Sequence, residues 1–342
     1  MQVGIDSFAI IMPDAHTGVP PSPGVRMGQL LEEITTADRA GVDLFGVGEH
    51  HREDFVDASP AVILAAAAGR TSQVRLTSAV SVLSAADPVR LFQDFATLDL
   101  VSGGRAEMTV GRGSFVEAHG LYGVPLDAYD AVFIEKLELL LQLRRETHPH
   151  WKGHYRAPLS GQGVFPRPLH DQMPLWLGVG GTPQSFIRAG SLGLPLMIAI
   201  IGGSHSRFRP LVDLYREAGR RAGHSPETLK VGIHSFGFVG DTDEEAITSL
   251  WPGWRYMAET MARERGGPPA SRARYLQDAG PNGPLLIGSP ETVATRVLAV
   301  SNALGGIDRI TFQMSMGAND HEAQLKAVDL VGRKIAPLLR DA

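Results

Sequence analysis

Short apolar runs alternate along this chain with longer stretches in which apolar residues recur every three or four positions. The runs predict strands buried on both faces, as in a parallel sheet, and the periodic stretches predict amphipathic helices. Strands are expected at Gln2–Ile11, Leu44–Glu49, Val74–Leu83, Arg105–Gly111, Pro174–Val179, Leu196–Ile201, Lys230–Val239 and Arg309–Met314. Helices are expected between them. Arg26–Ala40 carries Met27, Leu30, Leu31 and Ile34 on one face and stops at Gly41. Asp87 and Ser289, each followed by proline, are N-caps that open helices through Val101 and Leu304. Pro60–Gly69, Ala128–Arg144, Thr182–Ala189, Ser206–Ala222, Thr242–Ser249 and Asp320–Leu339 complete the set.

Eight strands alternating with helices predict an α/β fold, a single (β/α)8 TIM barrel with insertions. The competitor is an open doubly wound sheet. It requires a glycine fingerprint after the first strand, where this chain has Met12-Pro13-Asp14-Ala15-His16-Thr17-Gly18. Two segments hold the surplus length. Residues 146–173 are rich in His, Pro and Gly, and residues 250–284 contain Gly266-Gly267-Pro268-Pro269 and Gly280-Pro281-Asn282-Gly283-Pro284. The second is read as a mobile loop and a candidate lid.

Composition narrows the function classes. With 342 residues, 43% of them hydrophobic, the chain can bury a full core without disulfide or metal staples. The absence of cysteine removes thiolate nucleophiles and cysteine zinc sites, and fits a cytoplasmic protein. A net charge of -5 argues against a nucleic-acid partner. The N-terminus lacks the basic region of a secretory leader, and the longest apolar stretch, Leu192–Gly203, is too short for a bilayer, so no membrane is expected.

Three strand tips carry candidate chemistry. Glu49-His50-His51 ends strand two, and strand tips are where ligands bind in parallel α/β proteins. Adjacent strand residues face opposite ways, so one histidine is expected to face the barrel mouth and the other away. Either this is a solvated strand end, or the inward histidine handles protons. Thr109-Val110-Gly111-Arg112-Gly113-Ser114 ends strand four, as a tight turn with a surface arginine or as a phosphate grip. Gly178-Val179-Gly180-Gly181-Thr182-Pro183-Gln184-Ser185 ends strand five and opens a helix, whose free N–H groups suit an anion. Neither a Walker motif nor a hydrolase or zinc signature is present, and no metal is expected.

Added to these tips are Thr77 to Leu83 with Asp87-Pro88-Val89-Arg90, then Ser102-Gly103-Gly104-Arg105 and Gly193-Leu194-Pro195. In this order and spacing the chain resembles the bacterial-luciferase-like class of flavin-dependent monooxygenases and oxidoreductases. The resemblance implies the same barrel, with reduced FMN across its C-terminal mouth. It implies His50 as the catalytic histidine beside the flavin ring. It also implies a bulge at Ala79-Val80, often with a non-proline cis peptide, under the ring. Arg112, Thr182 and Ser185, with the backbone of Gly180 and Gly181, would hold the flavin phosphate, and Phe8 would line the ring pocket. The activity implied is insertion of an oxygen atom from O2 into a small organic substrate, on paired donors. Reduced flavin would come from a separate reductase, and a homo-oligomer, a dimer, is expected. A branch of the family uses the deazaflavin F420 for hydride transfer, which is the alternative. A flavin-binding barrel without turnover is the third reading. Three positions depart from luciferase itself. Gly111 replaces a reactive cysteine, so light emission is not implied; Gly181 replaces a carboxylate, and Asp130 a second phosphate arginine.

Overall fold

The computed structural model describes residues 1–113 and 115–340, with only the backbone of Arg265; Ser114, part of the strand-four tip, lies outside the described residues. Eight parallel strands form the barrel: β1 (Gln2–Ser7), β2 (Leu44–Val47), β3 (Arg75–Ser78), β4 (Ala106–Gly111), β5 (Leu175–Val179), β6 (Leu196–Ile200), β7 (Val231–Val239) and β8 (Arg309–Gln313). They pair in sequence order, β8 pairs with both β7 and β1, and the ring is closed rather than an open sheet. The expected (β/α)8 barrel is therefore the fold.

Local chemistry sets the helix ends. In α1 (Pro23–Ala40) the chain stops at Gly41, which adopts φ 82°, a conformation costly for any residue with a Cβ. For α2 (Pro60–Ala68) and α3 (Pro88–Ser102) a proline starts the first turn, and Asp87 caps α3 by accepting from the N–H of Val89 at 2.9 Å. Next come α4 (Tyr129–Arg145), α5 (Pro183–Ser191) and α6 (Arg209–Arg221). Thr242 caps α7 (Asp243–Arg265) and Ser289 caps α8 (Pro290–Leu304). Residues 321–340 form a last helix with one π turn at Val331–Ile335.

One expectation fails. Residues 250–284 are not a structureless loop: α7 runs on to Arg265, and Arg272–Ala279 is a further helix. Pro252 sits inside α7 and removes one backbone donor. Packing outweighs that cost. Leu250 and Trp254 are buried, and Trp251, Trp254 and Tyr275 form an aromatic cluster with centroids 5.2–5.7 Å apart. Apolar residues at 250, 254, 257, 258 and 261 follow helical spacing, a period that the prolines and glycines obscured.

The lower end of the barrel is plugged by a buried ion pair. Glu107 of β4 takes two bonds from Arg309 of β8, at 2.5 and 3.0 Å. Arg309 also reaches Gln2 of β1 at 2.8 Å and stacks over Trp176 of β5 at 3.9 Å. Planar guanidinium geometry satisfies both carboxylate oxygens at once.

Candidate active site

Above the plug, the C-terminal strand ends open into a cavity of about 890 Å³. Its roof is the apolar face of α7: Trp254, Met257, Ala258, Met261 and Ala262. Arg52, on the loop after β2, holds the roof down. It pairs with Glu264 at the end of α7 and, at 3.2 Å, with Glu117, the first residue of a short helix, Glu117–Leu121, after β4. The bond to Glu264, and after it the bond to Asp54 at 3.1 Å, hold Arg52 well above the ordinary arginine range.

His50 lines this cavity, as expected. Its Nδ1 lies 2.8 Å from Oδ2 of Asp57, a fully buried carboxylate. Burial raises the Asp57 carboxyl above its ordinary range, and the bond to His50 opposes that rise. With Nδ1 hydrogen-bonded to Asp57, Nε2 is the ring nitrogen left to take or give a proton. Aromatic rings box it in: Phe55 stacks at 4.4 Å, Phe8 lies tilted at 4.6 Å, and Phe115 meets it edge-on at 5.3 Å. The arrangement is a proton-handling pair in an apolar box.

His51 does not turn away. It lines the same cavity, because β2 ends at Val47 and strand alternation no longer governs residues 49–51. Its Nε2 is held by Glu49 at 3.1 Å, and the other Glu49 oxygen accepts from the N–H of Val82 at 2.8 Å. Glu49 thus ties the β2 tip to the segment after β3.

That segment is the bulge at Ala79-Val80, whose peptide is cis. Val80 seats against two glycines. A Cβ on Gly111 or on Gly178 would lie 2.8 Å from a Val80 methyl, so neither position tolerates a side chain without moving the bulge. A cysteine at position 111 would meet the same contact.

On the β4–β6 side the cavity becomes cationic. Arg112, Gly180, Gly181 and Arg207 line it, and α5 begins at Pro183. Thr182 is exposed at the N-cap and Ser185 is buried in the first turn; neither reaches the cavity wall. Arg112 is already engaged: its Nη1 is 2.9 Å from Asp130 and 3.1 Å from the Tyr129 hydroxyl. Asp130 also pairs with Arg188 at 3.7 Å.

Three functional candidates escaped the sequence reading: Asp57, and the pair Asp6–His234. His234 Nδ1 and Asp6 Oδ2 are 2.6 Å apart, both residues are buried, and both line the cavity. A signal existed for the pair. Each is an ionisable residue inside an otherwise apolar strand run, Val3-Gly4-Ile5-Asp6 and Val231-Gly232-Ile233-His234. Asp57 lies in a loop and carries no such signal.

The model of the luciferase-like monooxygenases matches residues 6–306. The chain belongs to that family. Among its relatives, 4-hydroxyprotoasukamycin monooxygenase of Streptomyces nodosus subsp. asukaensis is 26% identical, with 97% of this chain and 91% of the relative covered. Among solved structures, the oxygenating constituent of 3,6-diketocamphane monooxygenase from Pseudomonas putida, a type II Baeyer-Villiger monooxygenase in complex with FMN, superposes with a TM-score of 0.80 at 20% identity, covering 99% and 98% of the two chains. An F420-dependent secondary alcohol dehydrogenase in complex with an F420–acetone adduct superposes at 0.74 with 19% identity, covering 99% of each chain. These two structures share the barrel. Among the described residues, no helix is long and apolar enough to cross a membrane.

Proposed function

We propose that this protein is a flavin-dependent monooxygenase that uses reduced FMN and O2 on a small organic substrate. The observation that carries the reading is a meeting of three features in one cavity. They are the Ala79-Val80 bulge, the His50–Asp57 pair, and an open backbone end at Gly180-Gly181.

The residues fit the cofactor. A Cβ added to Gly180 would meet nothing within 4 Å, so open space adjoins backbone N–H groups at the start of α5. The N-terminus of a helix favours a phosphate there. Arg112 and the backbone of Gly180 and Gly181, which line the cavity, are assigned to the phosphate; Thr182 and Ser185 stand behind that wall at the start of α5 and would join the grip only if an anion draws the helix start inward. Ala79 and Val80 are assigned to the ring, and Phe8 to the wall beside it. Bound reduced flavin supplies the electrons and the reaction with oxygen. The protein's own part is position, dryness and a proton. His50 holds or gives that proton at Nε2, and the α7 roof excludes water. The relative known as an oxygenating constituent supports a separate reductase as the source of reduced flavin. The expected dimer is carried forward as part of the same reading, for light scattering to check.

Titration of the purified full chain with FMN and with F420, each oxidised and reduced, tests the assignment. Reduced FMN binding, with oxygen consumed when a reductase supplies it, is the expected result. F420 binding without FMN binding would move the protein to hydride transfer. Binding of neither would overturn the flavin reading.

A further inference from the structure

The cavity has a second histidine–carboxylate pair, wired like the first. His234 gives Nδ1 to Asp6 across β8, at 2.6 Å, with the Thr311 hydroxyl 3.4 Å from the same nitrogen. Its Nε2 makes no hydrogen bond to any described residue, and the residue lines the cavity. Phe8 touches both histidines, with centroids 4.6 Å from His50 and 5.7 Å from His234.

Placement separates the two pairs. In the ring β7-β8-β1-β2-β3-β4-β5-β6, β8 lies diametrically across from β4. The cationic end and the bulge belong to β3–β6, and His50 to the tip of β2. Asp6, His234 and Gln313 belong to β1, β7 and β8. The wall above them is apolar, from Phe236 and the α7 roof. A purely structural tie would be sealed, as Arg309–Glu107 is at the other end. This pair opens onto the space that a cofactor on the β3–β6 side leaves for substrate.

We infer that His234, held by Asp6, is the acid–base group that contacts the substrate, and that the substrate is an apolar molecule bearing a weakly acidic hydroxyl, a phenol or an enol. The inference rests on the flavin reading, which reserves the β3–β6 side for the cofactor. In the step proposed, the substrate O–H bond breaks and its proton passes to Nε2 of His234. The oxyanion stays paired with the imidazolium, whose other N–H remains on the Asp6 carboxylate. Imidazole is too weak a base for an alcohol, which limits the class to acidic hydroxyls.

The test uses 4-nitrophenol as the probe, since its phenolate absorbance reports the proton transfer without turnover. The protein should bind the probe as phenolate, with and without FMN. His234→Gln should lower affinity for the phenolate by about tenfold to a hundredfold, the loss of one charge-assisted bond. Ring ¹⁵N spectra of the unmutated protein keep the test independent of how the variant folds: Nε2 of His234 should shift to the protonated position when the probe binds. The proposal is overturned if His50→Gln, and not His234→Gln, abolishes the phenolate, or if the His234 ring resonances do not move. Failure of FMN to bind while the phenolate signal survives would strike the cofactor reading alone.

Discussion

At its lower end the barrel closes on charges that are fully occupied. Both oxygens of Glu107 take a bond from Arg309, and Gln2 and the Trp176 face complete the guanidinium. At its upper end the carboxylates are half occupied. Asp57 and Asp6 each bind a histidine through Oδ2, while each Oδ1 is buried without a partner. Buried polar groups are ordinarily satisfied, so two half-used carboxylates, each behind a cavity-lining histidine, mark this end as the working one. Burial alone does not separate the two regions, for Glu107, Asp57 and Asp6 are all nearly inaccessible. What separates them is whether the partner is a fixed cation or an imidazole that can gain and lose a proton.

The sharpest break between the regions is in what each loses on mutation. His50→Gln should lower turnover by ~10²–10⁴-fold, the usual worth of a positioned acid–base group, while FMN affinity and unfolding by urea stay near those of the unmutated protein. His51→Ala should cost less, because its Nε2 is tied to Glu49 and not offered to the cavity. A crippled His51→Ala beside a normal His50→Gln would reverse the assignment. Glu107→Ala is the counterpart at the sealed end. It strands a buried guanidinium, and breaking such a pair costs about 3–5 kcal/mol. Urea unfolding should show that loss; an unchanged midpoint would mean that the plug is not what holds the barrel end together.

These two regions also differ in how far the sequence exposes them. The barrel was legible because buried parallel strands read as apolar runs, and because Ser289-Pro290 and Gly305 punctuate α8 at its observed ends. His50 was legible as a polar residue at a strand tip. Asp57 was not, since a loop residue seven positions away declares its partner only after the loop folds. Asp6 and His234 are 228 positions apart and meet only because the ring closes through β8. The length of α7 was hidden for another reason: the Gly/Pro runs at 266–269 and 280–284 mark the whole segment as loop, while buried Leu250 and Trp254 carry the helix through Pro252. The outward turn expected of His51 failed because strand alternation was applied beyond Val47, where the strand ends.

His205 gives an intermediate case, near the mouth but sealed. Its Nε2 lies 2.9 Å from Ser235 Oγ, which itself donates to Ile200, so the ring donates and is held neutral. Burial, then the charges of Arg296 and Arg207, lower its pKa from 6.5 to about 4. The folded state therefore binds this proton less readily than the unfolded chain. Its contribution to stability is present above pH 6.5 and is lost as pH falls toward 4, by up to ~3 kcal/mol. In His205→Gln, whose amide keeps the donor but does not titrate, urea stability should fall less over that window. Parallel pH curves for the two proteins would show that His205 is not the group responsible.

The smallest effect expected sits at the cationic end, where Asp130 blunts the grip on an anion. Arg112→Ala should weaken FMN binding by only about tenfold, the low end for a charge-assisted bond, because Asp130 already neutralises that guanidinium at 2.9 Å. Asp130→Asn should act in the opposite direction. It releases Arg112 and Arg188 together, and the gain should be a few-fold, since Asp130 is half exposed and solvent screens the pair. The gain should shrink with added salt, which screens exposed charges. Isothermal titration at two salt concentrations measures both variants. If Arg112→Ala leaves affinity unchanged while Arg207→Ala lowers it, the phosphate is gripped from the β6 loop, and Arg112 serves to anchor α4. If Asp130→Asn weakens binding, the carboxylate is orienting Arg112 toward the anion and not competing with it.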